Sequence, residues 1–332
     1  MTIELVEPIE PMNARAFWIA APGCGEIRDE HLPVPAAGEV LVRAQYSGIS
    51  RGTEALVFNG RVPPSEYERM RAPFQVGRFP GPVKYGYASV GRVEQGPVDL
   101  KDREVFVLYP HQTRYVVPVG AVHALPDGVP PARAVLAANL ETAINGVWDA
   151  RPHVGDRVTV VGAGTVGCLI AWLVGGMVGC RVELVDVNDA RAHVAAKLGA
   201  LFAMPEMATP DADVVIHASG SPAGLDLALG LAGFEARVVE MSWYGTDRVA
   251  LDLGASFHAR RLRLMSSQVG HVAASQRARW DRRRRMALAL SLLTASDLDV
   301  LVTGESDFDR LPEVMTELAT SPGDTLCHRI KY

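Results

Sequence analysis

Arg157-Val158-Thr159-Val160-Val161-Gly162-Ala163-Gly164-Thr165-Val166-Gly167 couples an apolar, β-branched run to a Gly-x-Gly-x-x-Gly turn. A helix-like segment over 168–174 follows, then a second β-rich run over 181–185 that closes on Asp186. Strand, glycine turn, helix, strand and terminal acid in this order are the pattern of a dinucleotide-binding unit. Gly162 permits the tight turn, Gly164 admits a pyrophosphate to the backbone, and Gly167 lets helix and strand pack closely. The pyrophosphate is expected on the helix amino end at Thr165 and Val166, where unpaired N–H groups and the dipole favour an anion. Asp186 is expected to accept from the adenosine ribose hydroxyls and to repel a 2′-phosphate. The expected cofactor is therefore NAD.

The run 158–180 is uncharged and mostly apolar, long enough to suggest a membrane span. Its six glycines, with Gly162 and Gly164 at a turn, divide it into a short buried strand and a short helix. At 332 residues, with 48% hydrophobic and 21% charged side chains, the chain suits two globular domains. A net charge of −5 argues against general nucleic-acid or anionic-membrane binding. Met1 to Pro11 carries three glutamates and no apolar core, so no signal peptide is expected there. Cys24, Cys168, Cys180 and Cys327 lie far apart without a Cys-x-x-Cys, which suggests reduced thiols in a cytoplasmic protein.

Short β runs over 40–46, 88–94, 105–108 and 115–118, punctuated by Pro and Gly, predict a mostly β amino-terminal domain. Pro131 opens a predicted helix over 132–148. From Arg157 the chain alternates. Strands are expected over 157–161, 181–185, 213–217, 236–241 and 262–266, with helices over 190–198 and 223–231. Such alternation gives a parallel sheet covered on both faces. Beyond Gly270 a long helix-like segment is expected, then a short segment over 297–302, a helix near 311–318 and a last strand over 326–332. The cluster Arg279, Arg282, Arg283, Arg284 and Arg285 reads most simply as a solvated helix face, with recognition of an acidic partner as the sharper alternative. The apolar run 286–290 is equally suited to core or interface.

A β domain followed by a nucleotide domain resembles the medium-chain dehydrogenase/reductase superfamily, the zinc alcohol dehydrogenase-like proteins. The marks are Ser47-Gly48-Ile49-Ser50-Arg51-Gly52-Thr53-Glu54, Gly86-Tyr87-Ala88-Ser89-Val90-Gly91, Gly155-Asp156-Arg157-Val158 and the glycine turn. With Phe257 to Leu262 and Ser266 to Gly270, they look most like the branch containing bacteriochlorophyllide hydroxyethyl dehydrogenase and "zinc-binding" relatives. The resemblance implies an α/β chain: a GroES-like β domain (1–140 with 268–332) and a Rossmann doubly wound parallel-sheet domain (141–267). It also implies a homodimer. The departures matter as much. Where zinc-dependent members place a Cys, this chain has Ser50 and Arg51; where they place Gly-His-Glu, it reads Gly86-Tyr87-Ala88; the third ligand position falls near Ala138, Asn139 and Glu141. Zinc needs three or four N, S or carboxylate donors, so no metal is expected.

Without zinc a side chain must manage the proton that accompanies hydride transfer. Tyr87, at the lost histidine position, is the first candidate, with Lys84 as a neighbour that lowers its pKa if the turn brings them together. Thr53 matches the superfamily's relay hydroxyl, and Glu54 suits a loop anchor. Glu141 is a candidate base or substrate-hydroxyl acceptor, with a plain surface glutamate as the equal alternative; His111 is a further candidate. Position after the strands assigns Ser219 and Gly220 to the adenosine and ribose end, and Tyr244 and Gly245 to the nicotinamide carboxamide. Gln268 falls at the crossover back to the first domain. The function expected is NAD-dependent, zinc-independent interconversion of a small-molecule secondary alcohol and a ketone. A zinc-free reductase of conjugated double bonds and a non-catalytic nucleotide-binding protein remain the alternatives.

Overall fold

The computed structural model describes residues 12–332. The signal-peptide expectation for Met1 to Pro11 lies outside the described residues. The β-branched runs form a six-stranded parallel sheet in the spatial order Leu201–Ala203, Arg181–Val185, Arg157–Val161, Ala212–His217, Ala232–Glu240, Arg263–Ser266. Numbered along the chain this is 3-2-1-4-5-6, the doubly wound Rossmann order, whose reversal point lies beside the first strand. Val158, Val160, Leu184, Val214 and Ile216 are buried in the middle of it, as strands covered on both faces require. The helices Thr165–Gly175 and Pro222–Leu231 cover it, the second with Pro222 in its first turn and the Ser221 hydroxyl accepting from the Gly224 N–H.

The amino-terminal part is an antiparallel β domain. Glu39–Ile49 pairs with Ser89–Gln95 and Arg114–Pro118, and Ser89–Gln95 with Glu104–Val107. The chain end returns to it: Cys327–Lys331 lies antiparallel to Glu39–Ile49 and parallel to Val302–Asp307. A smaller sheet is built on the hairpin Met12–Ala21 and Cys24–Leu32, which the sequence reading did not anticipate.

Three other expectations change. The helix over 132–148 is two, Pro131–Ala134 and Ala137–Ala150, interrupted where Val135 packs against Gly48. The long helix beyond Gly270 shortens to Arg282–Leu292. Leu201–Ala203 is an extra strand, too short to show a period. The apolar 158–180 run divides at the glycine turn as expected, and no described helix is long and apolar enough to cross a membrane.

The arginine cluster is a correction. Arg279, Arg282, Arg283 and Arg284 are exposed, but Arg285 is 1% exposed on the face that buries Met286, Ala289 and Leu290. Its Nε donates to Glu141 Oε1 at 3.0 Å, and its other nitrogens donate to Asn145 Oδ1 and the Val269 carbonyl.

Candidate functional site

The glycine turn has the shape its sequence implies. Gly162 has φ +108°, and a Cβ there would stand 2.5 Å from the Ser219 nitrogen; only glycine fits. A Cβ on Gly167 would overlap the Gly162 carbonyl, whereas one on Gly164 would meet nothing within 4 Å. Gly164 thus faces open space at the amino end of Thr165–Gly175, the place where unpaired N–H groups hold a phosphate. This cradle fits a dinucleotide pyrophosphate.

Asp186 follows the second strand, half-buried, and accepts the N–H groups of Ala163 at 2.6 Å and Asn188 at 2.9 Å. Its carboxylate therefore fastens the glycine turn to the next loop. Val187, immediately after, is 78% exposed and offers an apolar surface at the same end. Arg51 and Arg191 also gather here. Burial pulls the Arg51 pKa down, Arg191 adds to that fall, and Asp186 opposes it.

Along the carboxyl edge of the sheet the register aligns Val161 with His217, His217 with Glu240 and Glu240 with Ser266. Ser219 and Gly220 follow His217, and Gly220 donates its N–H to Ser242 Oγ at 3.0 Å. Tyr244 donates its hydroxyl to Glu240 Oε2 at 3.0 Å. A Cβ on Gly245 would strike Leu56 and the Arg61 carbonyl, and Asp247 pairs with Arg61. The 242–247 loop thus crosses to the β domain and bounds the crevice. Gln268 is exposed just past the sixth strand.

In the β domain, Ser50 precedes the helix Arg51–Phe58, which carries Thr53 and Glu54. Tyr87 comes to them from the segment before Ser89–Gln95, and the Ser50 and Thr53 hydroxyls lie close enough to its phenol to pull its pKa down. Burial pushes the Tyr87 pKa up, the Glu54 charge pushes it further, and the two hydroxyls offset only part of this. The phenol stays protonated, a donor and not a phenolate.

Here the Lys84 expectation fails. Lys84 points away, donating to Glu30 Oε2 and Gln112 Oε1, each at 2.7 Å, beneath the Trp18 and Tyr109 rings. It stands three residues before Tyr87, but the irregular segment 85–88 between the strands Val83–Lys84 and Ser89–Gln95 separates the two side chains, which take different partners.

His111 is 1% exposed, with Nε2 2.8 Å from Glu54 Oε2 and Nδ1 2.6 Å from Ser47 Oγ. Ser47 Oγ in turn lies 2.8 Å from the Tyr332 hydroxyl. His111 therefore acts on the crevice only through Glu54. Glu54 Oε1 accepts the Ser50 N–H at 2.7 Å, the loop-anchor geometry.

The structure thus brings Thr53, Tyr87 and His111 together around Glu54 and sets Glu141 in a separate network. Glu141 is 5% exposed and paired with Arg285; burial raises its pKa and Arg285 opposes the rise. The surface-glutamate alternative falls.

The zinc of the resembled family does not fit. Its ligand positions hold Ser50 and Arg51, then Tyr87, then the stretch Ala138, Asn139 and Glu141, whose one acid is paired with Arg285; the acid–imidazole pair Glu54 and His111 is spent on itself, on Ser47 and on the Ser50 N–H. Among the described residues no three His, Cys, Asp or Glu side chains converge.

The sequence assigns no role to Ser47, Tyr332, His217, Glu240 or a buried Arg285. His217 and Glu240 close their strands, Ser47 lies near the end of Glu39–Ile49 and Tyr332 follows Cys327–Lys331, and that position is the one signal available for them.

No protein-family model matches the chain. Among curated proteins it is 26% identical over 73% of its length to the 2-dehydro-3-deoxy-L-galactonate 5-dehydrogenase of Pseudoalteromonas atlantica, covering 80% of that protein. It is 29% identical over 63% of its length to the 2-desacetyl-2-hydroxyethyl bacteriochlorophyllide A dehydrogenase of Rhodobacter capsulatus, covering 67% of that protein. Among solved structures it superposes on the alcohol dehydrogenase rspB of Escherichia coli CFT073, complexed with NADH, at TM-score 0.75 and 18% identity, covering 96% of this chain and 99% of that one. A zinc-binding dehydrogenase of Sinorhizobium meliloti 1021 bound to NADP gives TM-score 0.76 at 17% identity, covering 97% of this chain and 100% of that one. In fold the chain is similar to these NADH- and NADP-bound dehydrogenases, and its curated relatives are dehydrogenases that act on alcohols, in line with the resemblance its sequence bears to the zinc alcohol dehydrogenase-like proteins.

Proposed function

We propose that the chain is an NAD(H)-dependent oxidoreductase that interconverts a secondary alcohol and a ketone without zinc. The observation that carries this reading is the Tyr87 phenol, which stands at the position of a metal ligand beside the Ser50 and Thr53 hydroxyls and is kept protonated by burial. A bound nicotinamide supplies the hydride or takes it. Tyr87 donates a hydrogen bond, then its proton, to the carbonyl oxygen as charge develops there. Ser50 and Thr53 fix the phenol, and the Thr53 hydroxyl passes a proton back to it. Glu54, anchored by His111 and the Ser50 N–H, keeps a negative charge beneath the phenol that opposes its ionisation before substrate arrives.

Asp186 supports NAD over NADP, because an acid at the end of the second strand of such a unit accepts from the ribose hydroxyls and repels a 2′-phosphate. Arg51 and Arg191 stand close by, so the preference is a matter of degree. The polyhydroxylated acid named for the P. atlantica relative supports a polyol or keto-sugar substrate. Division at 140 and 268 into GroES-like and nucleotide domains belongs to the same reading, as do a cytoplasmic location, which four unpaired cysteines suit, and a homodimer. The edge strand Arg263–Ser266, exposed at all four residues, is the surface offered for the dimer.

The test is NADH consumption with keto-sugar acids, before and after dialysis against EDTA, for the native chain and Tyr87→Phe. The expected result is a rate indifferent to EDTA and a kcat lowered about 10²–10⁴-fold in Tyr87→Phe with NADH binding retained. A rate lost on dialysis and restored by zinc refutes the metal-free mechanism.

A further inference from the structure

The carboxyl edge of the parallel sheet holds a second constellation that hydride transfer leaves unused. His217 is wholly buried, with Nε2 2.5 Å from Ser219 Oγ and Nδ1 2.7 Å from Glu240 Oε2. Glu240 is fixed in turn by the Tyr244 hydroxyl and by the Ser242 N–H at 2.6 Å. Burial works against its charge, but the bonds from His217 and Ser242 leave its pKa below the ordinary value. With Nδ1–H donating to this carboxylate, Nε2 is left to accept from the serine. Ser219 itself is exposed, and its Oγ also accepts the Ser221 N–H at 3.1 Å.

Nucleophile, base and orienting acid in hydrogen-bonded series define an activated serine by geometry, whatever the fold. We propose that Ser219, His217 and Glu240 form a second reactive site, an acyl-accepting triad that hydrolyses small activated esters when no nucleotide is bound. Ser219 Oγ bonds to the ester carbonyl carbon while its proton passes to His217 Nε2. The bond to the leaving oxygen breaks and that oxygen takes the proton. Water then gives a proton to His217 Nε2 and its oxygen to the acyl carbon; the acyl–serine bond breaks, Ser219 Oγ takes that proton back and the carboxylic acid leaves. No oxidant or reductant is needed. Ser219 abuts Gly162, so it lies beside the phosphate turn, and a bound dinucleotide covers it. That last point rests on the proposed cofactor site; the reactivity of the serine does not.

The experiment is p-nitrophenyl acetate with the whole, nucleotide-free chain, followed by the p-nitrophenolate burst and by mass spectrometry of the peptide that contains Ser219. The triad predicts acetyl on Ser219, loss of the burst in Ser219→Ala, and acylation about 10²–10⁴-fold slower in His217→Gln and Glu240→Gln. It also predicts protection by NADH. Should His217→Gln fail to fold, Ser219→Cys serves instead: a thiol beside His217 is expected to react with iodoacetamide faster than the exposed Cys24. Wild-type protein acetylated only elsewhere, or a burst unchanged in Ser219→Ala, overturns the proposal. Acetylation of Ser219 that NADH does not slow keeps the triad and overturns its place beneath the cofactor. NADH binding with no acetyl on Ser219 leaves the dehydrogenase reading intact, so the two failures are separable.

Discussion

Arg285→Met removes one guanidinium and strands one carboxylate. Arg285 is 1% exposed and Glu141 5%, so water cannot replace the lost 3.0 Å ion pair. Breaking a buried pair from one side costs about 3–5 kcal/mol, mostly for the charge left behind. The loss depends on pH with a definite sign. Burial holds the folded Glu141 pKa above its ordinary value while Arg285 pulls it down. For a carboxyl raised on folding, stability is fully present below the unfolded pKa, about 4.3, and is lost as pH rises through the folded value. Without Arg285 the folded value climbs further, so the deficit is small at pH 5 and grows towards pH 8.

Urea unfolding at both pH values, for native chain, Arg285→Met, Glu141→Gln and the double variant, measures this directly. The double variant is expected to recover much of the loss at pH 8, because its buried amide carries no charge. A deficit below about 1 kcal/mol, or one equal at the two pH values, refutes the reasoning. Arg285 also holds the Val269 carbonyl at 2.6 Å, so the KM for nucleotide is expected to rise more than kcat falls.

Asp186→Ser removes the carboxylate proposed to meet the ribose and two charge-assisted bonds to backbone. NAD+ is expected to weaken against NADP+ by about 1–3 kcal/mol in paired titrations, and an unchanged preference refutes the ribose assignment. Gly162→Ala places a methyl 2.5 Å from the Ser219 nitrogen at a φ of +108°. NADH affinity is expected to fall at least about tenfold with a lowered melting temperature, since strain of about 1–3 kcal/mol per such residue has nowhere to relax. Retained affinity measured by NADH fluorescence argues that the turn does not hold the pyrophosphate.

The dinucleotide unit was legible because its cause is local. Gly162, Gly164, Gly167 and Asp186 act within one turn and one crossover, and their spacing is the geometry. What was missed depends on pairings that spacing does not encode. Ser47 meets Tyr332 across 285 residues and Arg285 meets Glu141 across 144. His217 and Glu240 become neighbours only through the parallel register, and that follows only once both strand ends are known. Lys84 shows the converse, in which a condition set by closeness along the chain, that the turn bring Lys84 to Tyr87, is not met because Lys84 pairs with Glu30 and Gln112 instead.

Periodicity alone does not pick Arg285 out of its cluster. Residues 286, 289, 290 and 293 form the apolar stripe of the last arginine-rich helix, and Arg282, one turn before Met286, sits nearer the centre of that stripe than Arg285 does. Arg282 opens the helix and stays exposed, whereas Arg285, at the edge of the stripe, is buried where the helix Ala137–Ala150 brings Glu141 and Asn145 to it. A buried guanidinium must find an acid, and the acid that meets it stands 144 residues earlier, on an element whose packing partner no local spacing names. The period of the helix marks a face that can be buried; the neighbour packed on that face decides which arginine goes under with it, and here that arginine also holds the Val269 carbonyl of the 267–270 crossover.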